Sequence, residues 1–445
     1  MNFLEFLNNN IVLLDGAMGT MLQKNGMKAG DVPEHFNIEH SDIIIKIQKA
    51  YVEAGSNVIF TNTFGANSKK LSNSSYSLER IIKAAIANAK TAMGNKGFVA
   101  YDIGPIGELL QPSGLLGFDE AYELFAQQVK IAVAEGVDLF VIETMSDLQE
   151  VRAAVLAVKE NSDLPLIASM SFEENGRTFT GCDVAAMACC LEGLGVNAIG
   201  INCSLGPVQL LPVVEKLLNY TNLPVSVKAN AGLPTKYGGY DIDEVEFTRV
   251  YEKFLKMGVR IVGGCCGTTP EYISLLKQAI ANAPKDIKMP DVIRGICSGE
   301  KFLPYGGIMV VGERLNPTGK PLFKEAILNE DIEYILKQAL EQVEAGADIL
   351  DLNLGLPKID EPSIMKKVIT ALQGVSDIPL QIDSSKPLAI EAGLRCYCGK
   401  AIVNSVNGDD ESLDAILPIV KKYGAAVIGL CLNKDGIPKN AEDRL

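Results

Sequence analysis

No apolar run in this sequence approaches the ~20 residues that a membrane span needs, so no membrane segment is expected. The opening residues, Met1-Asn2-Phe3-Leu4-Glu5, lack a basic start followed by a long apolar core, and no signal peptide is expected. Basic residues are outnumbered: 41 Lys and Arg face 55 Asp and Glu, a formal charge of −14, with no basic cluster against it. That disfavours a nucleic-acid partner, and the acidity reads as solubility. Histidine is scarce. His35 and His40 fall in a loop after Pro33, where surface or packing roles suit them better than ligation. A glycine-rich dinucleotide turn is also missing.

What is present is length and sulfur. At 445 residues and 47% hydrophobic content, two domains with sizeable cores are expected. The ten cysteines are irregularly spaced and read as reduced cytoplasmic thiols, some of them metal ligands.

One pattern recurs. An amphipathic helix stops at a glycine and an apolar strand follows, at Gly55, Gly136, Gly195 and Gly258. Glycine supplies the left-handed cap, and the strand is the next element of a parallel sheet. Eight strands are expected before residue 270: Ile11–Leu14, Asn57–Thr61, Phe98–Tyr101, Leu139–Ile142, Leu166–Met170, Ala198–Ile201, Val225–Val227 and Arg260–Val262. Eight βα units in this length fit an α/β fold of the (β/α)8 TIM-barrel type; a doubly wound open sheet is the alternative. The first domain is set at residues 1–288 and a linker at 289–306, within an aperiodic stretch that begins near Pro284. Residues 307–445 form a second, apparently incomplete barrel. Its strands are expected at Ile308–Val311, Ile349–Leu352, Leu380–Ile382, Ala401–Val403 and Ala426–Leu430, and five do not close a ring.

In such barrels the reacting groups lie at the C-terminal strand ends. Strand 1 ends in Asp15-Gly16-Ala17-Met18, strand 4 in Glu143-Thr144, strand 6 in Asn202-Cys203-Ser204, strand 7 in Asn230-Ala231-Gly232, and strand 8 in Gly264-Cys265-Cys266. Strands 6 and 8 lie two apart, so Cys203, Cys265 and Cys266 can converge on one Zn²⁺. Three thiolates with an open fourth place suit alkyl transfer to an incoming thiol better than hydrolysis. Position alone leaves core packing open for each of the three. Cys189-Cys190, in a helical stretch, reads as packing.

Asp-Gly-Ala-Met-Gly-Thr at 15–20, Gly-Ile-Asn-Cys-Ser at 200–204, Asn-Ala-Gly-Leu-Pro at 230–234 and Gly-Gly-Cys-Cys-Gly-Thr-Thr-Pro at 263–270 together resemble the homocysteine S-methyltransferase family. The resemblance implies a TIM barrel holding Zn²⁺ through Cys203, Cys265 and Cys266, with the homocysteine sulfur as fourth ligand. It also implies that Asp15 and Glu143 bind the homocysteine ammonium, and that backbone at Ala17 and Met18 meets its carboxylate. Asn230 would take the open metal position when substrate is absent.

In the second domain Gly312-Glu313-Arg314-Leu315-Asn316, Asp351-Leu352-Asn353, Asp383-Ser384-Ser385 and Asn404-Ser405 stand at successive strand ends. Carboxylates and carboxamides in a ring suit a flat amino-pyrimidinone edge; turn and cap roles are the alternative. These pieces resemble the pterin-binding domain shared by methyltetrahydrofolate methyltransferases and dihydropteroate synthase. The resemblance implies pterin contacts at Glu313, Asn316, Asp383 and Asn404, with Asp351 and Asn353 nearby.

The two domains in this order resemble the N-terminal half of the cobalamin-dependent methionine synthase family. That implies methyl passage from 5-methyltetrahydrofolate to homocysteine by way of methylcobalamin. The family's Asp-x-His-x-x-Gly corrinoid motif matches neither His35 nor His40, so the corrinoid is expected on a further domain or a separate protein. A homocysteine methyltransferase using betaine or S-methylmethionine is the alternative enzyme; a non-catalytic metal-binding module is the alternative class.

Overall fold

The computed structural model describes residues 2–235, 239–284, 287–432 and 436–444. The chain divides into two compact units, residues 1–110, 116–184 and 196–292 in the first, and 111–115, 185–195 and 293–445 in the second.

The first unit is an eight-stranded parallel barrel. Its strands are β1 (Val12–Leu13), β2 (Val58–Phe60), β3 (Phe98–Ile103), β4 (Leu139–Met145), β5 (Leu166–Met170), β6 (Ala198–Asn202), β7 (Val225–Ala229) and β8 (Ile261–Gly264). They pair in the order β1-β8-β7-β6-β5-β4-β3-β2. The glycine stops act as expected: Gly55 and Gly258 sit at helix ends with φ of 113° and 103°, a conformation that costs a residue with a Cβ.

Between β1 and β2 a short seam replaces the ladder. Asn57 N–H donates to Leu13 O at 2.7 Å, and Asn57 Oδ1 accepts from Leu13 N–H at 2.9 Å. Higher up, Phe60 N–H donates to Asp15 Oδ2 at 2.8 Å. The helix Phe3–Asn9 plugs the N-terminal end of the barrel with Phe3 and Leu7, and the Phe3 and Phe98 rings meet edge to face at 5.6 Å. Arg260 fixes that plug by donating to Leu7 O and Asn10 O. The apolar core therefore fills one end of the barrel and leaves polar side chains to the other.

The expected linker carries structure. Gly295–Cys297 (β9) and Phe302–Pro304 (β10) form an antiparallel pair. Strands of three residues show no period, and Pro304 argues against one, so the sequence hid them. Lys285 and Asp286, just ahead of it, lie outside the described residues.

The second unit carries a five-stranded parallel sheet of β11 (Val311–Leu315), β12 (Ile349–Asn353), β13 (Leu380–Asp383), β14 (Ile402–Val406) and β15 (Ala426–Gly429), in chain order. The first strand was expected at Ile308–Val311 and starts three residues later. Register sets it: Val311 pairs with Ile349 and Gly312 with Leu350, while Ile308 is 96% exposed. Among the described residues no helix is long and apolar enough to cross a membrane.

An Asn57→Ala variant is expected to lose about 1–3 kcal/mol, because the seam forfeits a hydrogen bond and strands the Leu13 N–H. A lowered urea midpoint for the first unit checks this; an unchanged midpoint means that the seam does not depend on that side chain.

Candidate metal and substrate site at the barrel mouth

β7 lies between β6 and β8 and supports both sulfur-bearing segments. Cys203, just past β6, donates its N–H to Lys228 O at 2.9 Å. Cys265, just past β8, donates to Ala229 O at 2.8 Å. Two adjacent carbonyls of one strand thus bring residues 203 and 265–266 to the same rim. The three Sγ atoms lie within 4.8 Å of one another, and Cys203 and Cys266 are 4.0 Å apart.

The backbone around the thiols is strained and held. Cys203 and Ser204 have φ of 59° and 51°, and Thr144 has 62°. Such values cost a non-glycine residue free energy and persist where neighbours fix them. Ser204 Oγ donates to Phe172 O at 2.8 Å. Asn202 Oδ1 accepts from Thr144 N–H at 2.8 Å and from Ser169 Oγ at 2.8 Å, and Asn202 Nδ2 donates to Thr144 Oγ1 at 2.7 Å. Thr268, fully buried, donates to Cys265 O at 2.8 Å and accepts the Ala17 N–H at 3.2 Å. It therefore ties the 265–268 turn to the loop that follows β1.

Crowded thiols share their protons unequally. Hydrogen bonds from Cys203 and Cys265, helped by Tyr240, pull Cys266 down to about 3. Cys203 is pulled down by Cys265, but its hydrogen bond to Cys266, burial and repulsion outweigh this and carry it to about 11. Cys265 is pushed well up, first by its hydrogen bonds to Cys203 and Cys266 and then by burial. Negative charge in the cluster is thus drawn toward Cys266. Tyr240, pushed up to about 12 by burial and by that charge, packs its ring on Gly267, where a Cβ would lie 2.2 Å from it.

Beside the thiols is a cage of buried carboxylates. Asp15 accepts the Phe60 N–H through Oδ2, while Oδ1 is buried without a hydrogen-bond partner among the described residues. Burial raises its carboxyl to about 6 against the pull of Lys228. Glu143 Oε2 accepts from Lys228 Nζ at 2.7 Å. Asp102, just beyond the expected end of β3, is pushed well up by burial and then by Glu143; its Oδ1 is also without a partner. The Lys228 Nζ lies 3.7 Å from the centroid of the Phe60 ring. Burial opposes its charge, but Glu143, Asp15 and Asp102 prevail and keep it protonated.

The expected residues are therefore gathered at one mouth. Cys203, Cys265 and Cys266 form one cluster, and Asp15 and Glu143 flank Lys228. Asn230 is buried, with Oδ1 lacking a partner among the described residues. The Ala17 N–H is taken by Thr268, and Ala17 O accepts from Tyr51 OH at 2.8 Å; Met18 starts the helix Gly19–Lys24. His35 is engaged elsewhere, with Nε2 2.7 Å from Ser74 Oγ. Sequence reasoning missed Asp102, Asn202, Lys228, Tyr240 and Thr268. A lysine inside Val-Ser-Val-Lys-Ala was the available signal, since a buried strand admits a charge only with a partner.

In the second unit Asn353, Asp383 and Asn404 stand in one row across three strands, Asn353 paired in register with Asp383 and Asp383 with Asn404. Asn353 Nδ2 donates to Asp383 Oδ2 at 2.9 Å. Asp351 Oδ1 accepts from Gln381 and, at 3.4 Å, from Asn404; its Oδ2 is buried without a partner among the described residues. Burial raises both aspartates. Glu313 and Asn316 bond each other at 2.9 Å on the edge strand β11 side, in a more exposed setting. Gln381 was not anticipated.

Residues 312–443 match the family of pterin binding enzymes. The methionine synthase of Mycobacterium tuberculosis (strain ATCC 25618 / H37Rv) is 29% identical over 476 aligned positions, and that of Mycobacterium leprae (strain TN) 28% over 480. Each alignment covers the whole of this chain, which spans 40% of the length of either relative. Among solved structures, the metallated form of the homocysteine methyltransferase MmuM from Escherichia coli superposes with a TM-score of 0.54 at 22% identity. That match covers 60% of this chain and 96% of MmuM, and it shows a common fold. Residues 12–280 match the model of the homocysteine S-methyltransferases across the barrel that carries the three thiols, and the chain belongs to that family.

Proposed function

We propose that this chain serves methyl transfer to the thiol of homocysteine, giving methionine, with 5-methyltetrahydrofolate as the methyl source and a corrinoid, held outside this chain, as the carrier. The observation that carries the reading is the convergence of three thiols beside a cage of buried carboxylates. The first selects a soft metal and a sulfur substrate, and the second a cationic group on that substrate.

The donor set fits Zn²⁺. Three sulfurs within 4.8 Å of one another suit a site of three thiolates with a fourth place for substrate. Shared hydrogen bonds already draw negative charge toward Cys266, and a divalent cation would take the place of the protons the cluster still holds. Cys203, Cys265 and Cys266 would hold the metal, and bound there it lets a substrate thiol lose its proton yet stay nucleophilic.

The remaining work falls to the chain's own groups. Asp15 and Glu143 take the ammonium of homocysteine through charge-assisted hydrogen bonds. Backbone at Met18 meets its carboxylate, whereas the Ala17 N–H expected there is spent on Thr268 Oγ1. Asn230, whose buried oxygen has no partner among the described residues, stands in for the substrate sulfur when the site is empty of it. In the second unit Asp351, Asn353, Asp383 and Asn404, with Glu313 and Asn316 at the edge strand, present the acceptors and donors that a pterin edge needs. The match to pterin binding enzymes supports this donor over betaine or S-methylmethionine. Residues 1–288 and 307–445 then form the acceptor and donor domains, and ten irregularly spaced cysteines suit a reducing cytoplasm.

Metal analysis is expected to find about one equivalent of Zn²⁺ per chain, lost in Cys203→Ala, and homocysteine should release a proton from the loaded protein. Zinc retained in the variant removes Cys203 from the site, and absence of proton release denies the open position. Homocysteine affinity should fall as pH drops through about 6, because protonated Asp15 no longer accepts the ammonium. Asp15→Asn should weaken binding roughly ten- to a hundredfold at neutral pH and flatten that dependence; calorimetric titration across pH reads both. Equilibrium dialysis with 5-methyltetrahydrofolate is expected to show binding that Asp383→Ala weakens. Binding of betaine or S-methylmethionine in its place moves the assignment to another donor.

A further inference from the structure

The carboxylate cage contains a cation that neither metal ligation nor contact with the substrate sulfur explains. Lys228 leaves β7, three strands away from β4 in the ring order, and reaches across the mouth to Glu143 on β4. Its side chain is 6% exposed, against 9% for Glu143. A lysine is rarely buried so fully, and the position is costly unless the pair is held closely. The Phe60 ring beneath Nζ adds a second constraint on where the ammonium sits.

We propose that Lys228 is a positioning residue for the ammonium group of homocysteine, acting through Glu143. The inference rests on the homocysteine reading above. A carboxylate has two oxygens. Lys228 engages Oε2 of Glu143 and fixes the plane of the group, leaving Oε1 for the substrate. Among the described residues Asp15 Oδ1 and Asp102 Oδ1 are buried without partners, so acceptors in the cage remain unmatched after Lys228 is counted. An incoming ammonium brings three donors.

Charge bookkeeping decides the direction of the effect. Three carboxylates crowded in a low-dielectric mouth do not all stay ionised without a cation. Removing Lys228 takes away one positive charge, and burial favours a proton on Asp15 or Asp102 in its place. The field at the substrate ammonium then changes little, while Glu143 loses the partner that orients it. Loss of orientation, and not relief of repulsion, is the expected outcome.

The test uses the zinc-loaded chain and two thiols, homocysteine and 4-mercaptobutanoate, which keeps the thiol and carboxylate and lacks the amino group. Dissociation constants are measured for wild type, Lys228→Met, Lys228→Arg, Glu143→Gln and the Lys228→Met/Glu143→Gln double variant. Lys228→Met is expected to weaken homocysteine roughly tenfold and 4-mercaptobutanoate by no more than about twofold. Lys228→Arg should recover part of the preference. In the Glu143→Gln background, Lys228→Met should leave the ratio of the two constants unchanged. Equal loss for both thiols means a merely structural lysine and overturns the proposal; so does unchanged or tighter homocysteine binding. If Lys228→Met does not fold, the double variant, which removes both opposite charges together, is compared with Glu143→Gln, and any further change in the ratio overturns the proposal. Wild-type protein that binds neither thiol fails the homocysteine reading itself, a result distinct from these.

Discussion

Two neighbouring carbonyls of one strand decide where the sulfur goes. Lys228 O and Ala229 O on β7 accept the N–H groups of Cys203 and Cys265, and the parallel register of β6 and β8 about β7 leaves those segments no other height. Thiols packed 4.0 Å apart in a partly desolvated mouth are not an ordinary core arrangement. The protein accepts left-handed backbone at Cys203 and Ser204 to achieve it, which costs on the order of 1–3 kcal/mol per residue. Core packing of cysteine requires no such strain, and Cys190, inside the helix Val184–Gly193, shows the contrast. The cost is sensible where the three sulfurs act as a unit.

That unit governs the electrostatics of the mouth. A cluster of three thiols whose negative charge is drawn toward Cys266 stands beside three buried carboxylates, and the described cation among them is Lys228. The global charge of −14 says nothing about this, because surface charges are screened by solvent and these are not. Locally the balance is poised. Asp15 is raised to about 6 by burial, close enough to neutrality that a cationic substrate settles its ionisation. On the homocysteine reading proposed above, ammonium binding and carboxylate ionisation support one another at such a site.

Residues at strand ends were legible because the fold makes them so. In a parallel βα barrel all C-terminal ends share one rim, so a polar residue straight after an apolar run has an address before any coordinates exist. Asp15, Glu143, Cys203, Asn230 and the Cys265-Cys266 pair were found this way. The same rule explains the failures. It treats a charged residue as the end of a strand, so β3 was cut before Asp102 and β7 before Lys228, yet both side chains are buried. What makes Lys228 tolerable is Glu143, 85 positions away in the chain, and no local pattern encodes that pairing. β11 failed for a related reason. Its position follows from pairing with Ile349, whereas local hydropathy favoured the exposed Ile308. The β9–β10 hairpin is too short to carry a period at all.

The same strand geometry yields a second kind of site when the donor atoms change. In the second unit, register aligns Asn353, Asp383 and Asn404 across three strands much as β6, β7 and β8 align the segments that carry the thiols. Here the groups are hard acceptors and planar amides: Asn353 donates to Asp383 at 2.9 Å, and Asn404 reaches the neighbouring Asp351 at 3.4 Å. Such a row cannot satisfy every atom internally, because Asp351 has four lone-pair sites and its neighbours fill one oxygen. A rigid strand framework fixes the unfilled oxygen in space, and its natural complement is a planar molecule with adjacent N–H groups. On the proposed reading, sulfur at one mouth and oxygen at the other separate two chemistries, one of bond formation to a soft nucleophile and one of recognition by directional hydrogen bonds. That separation follows from the side chains alone, since the backbone rule that places them is shared.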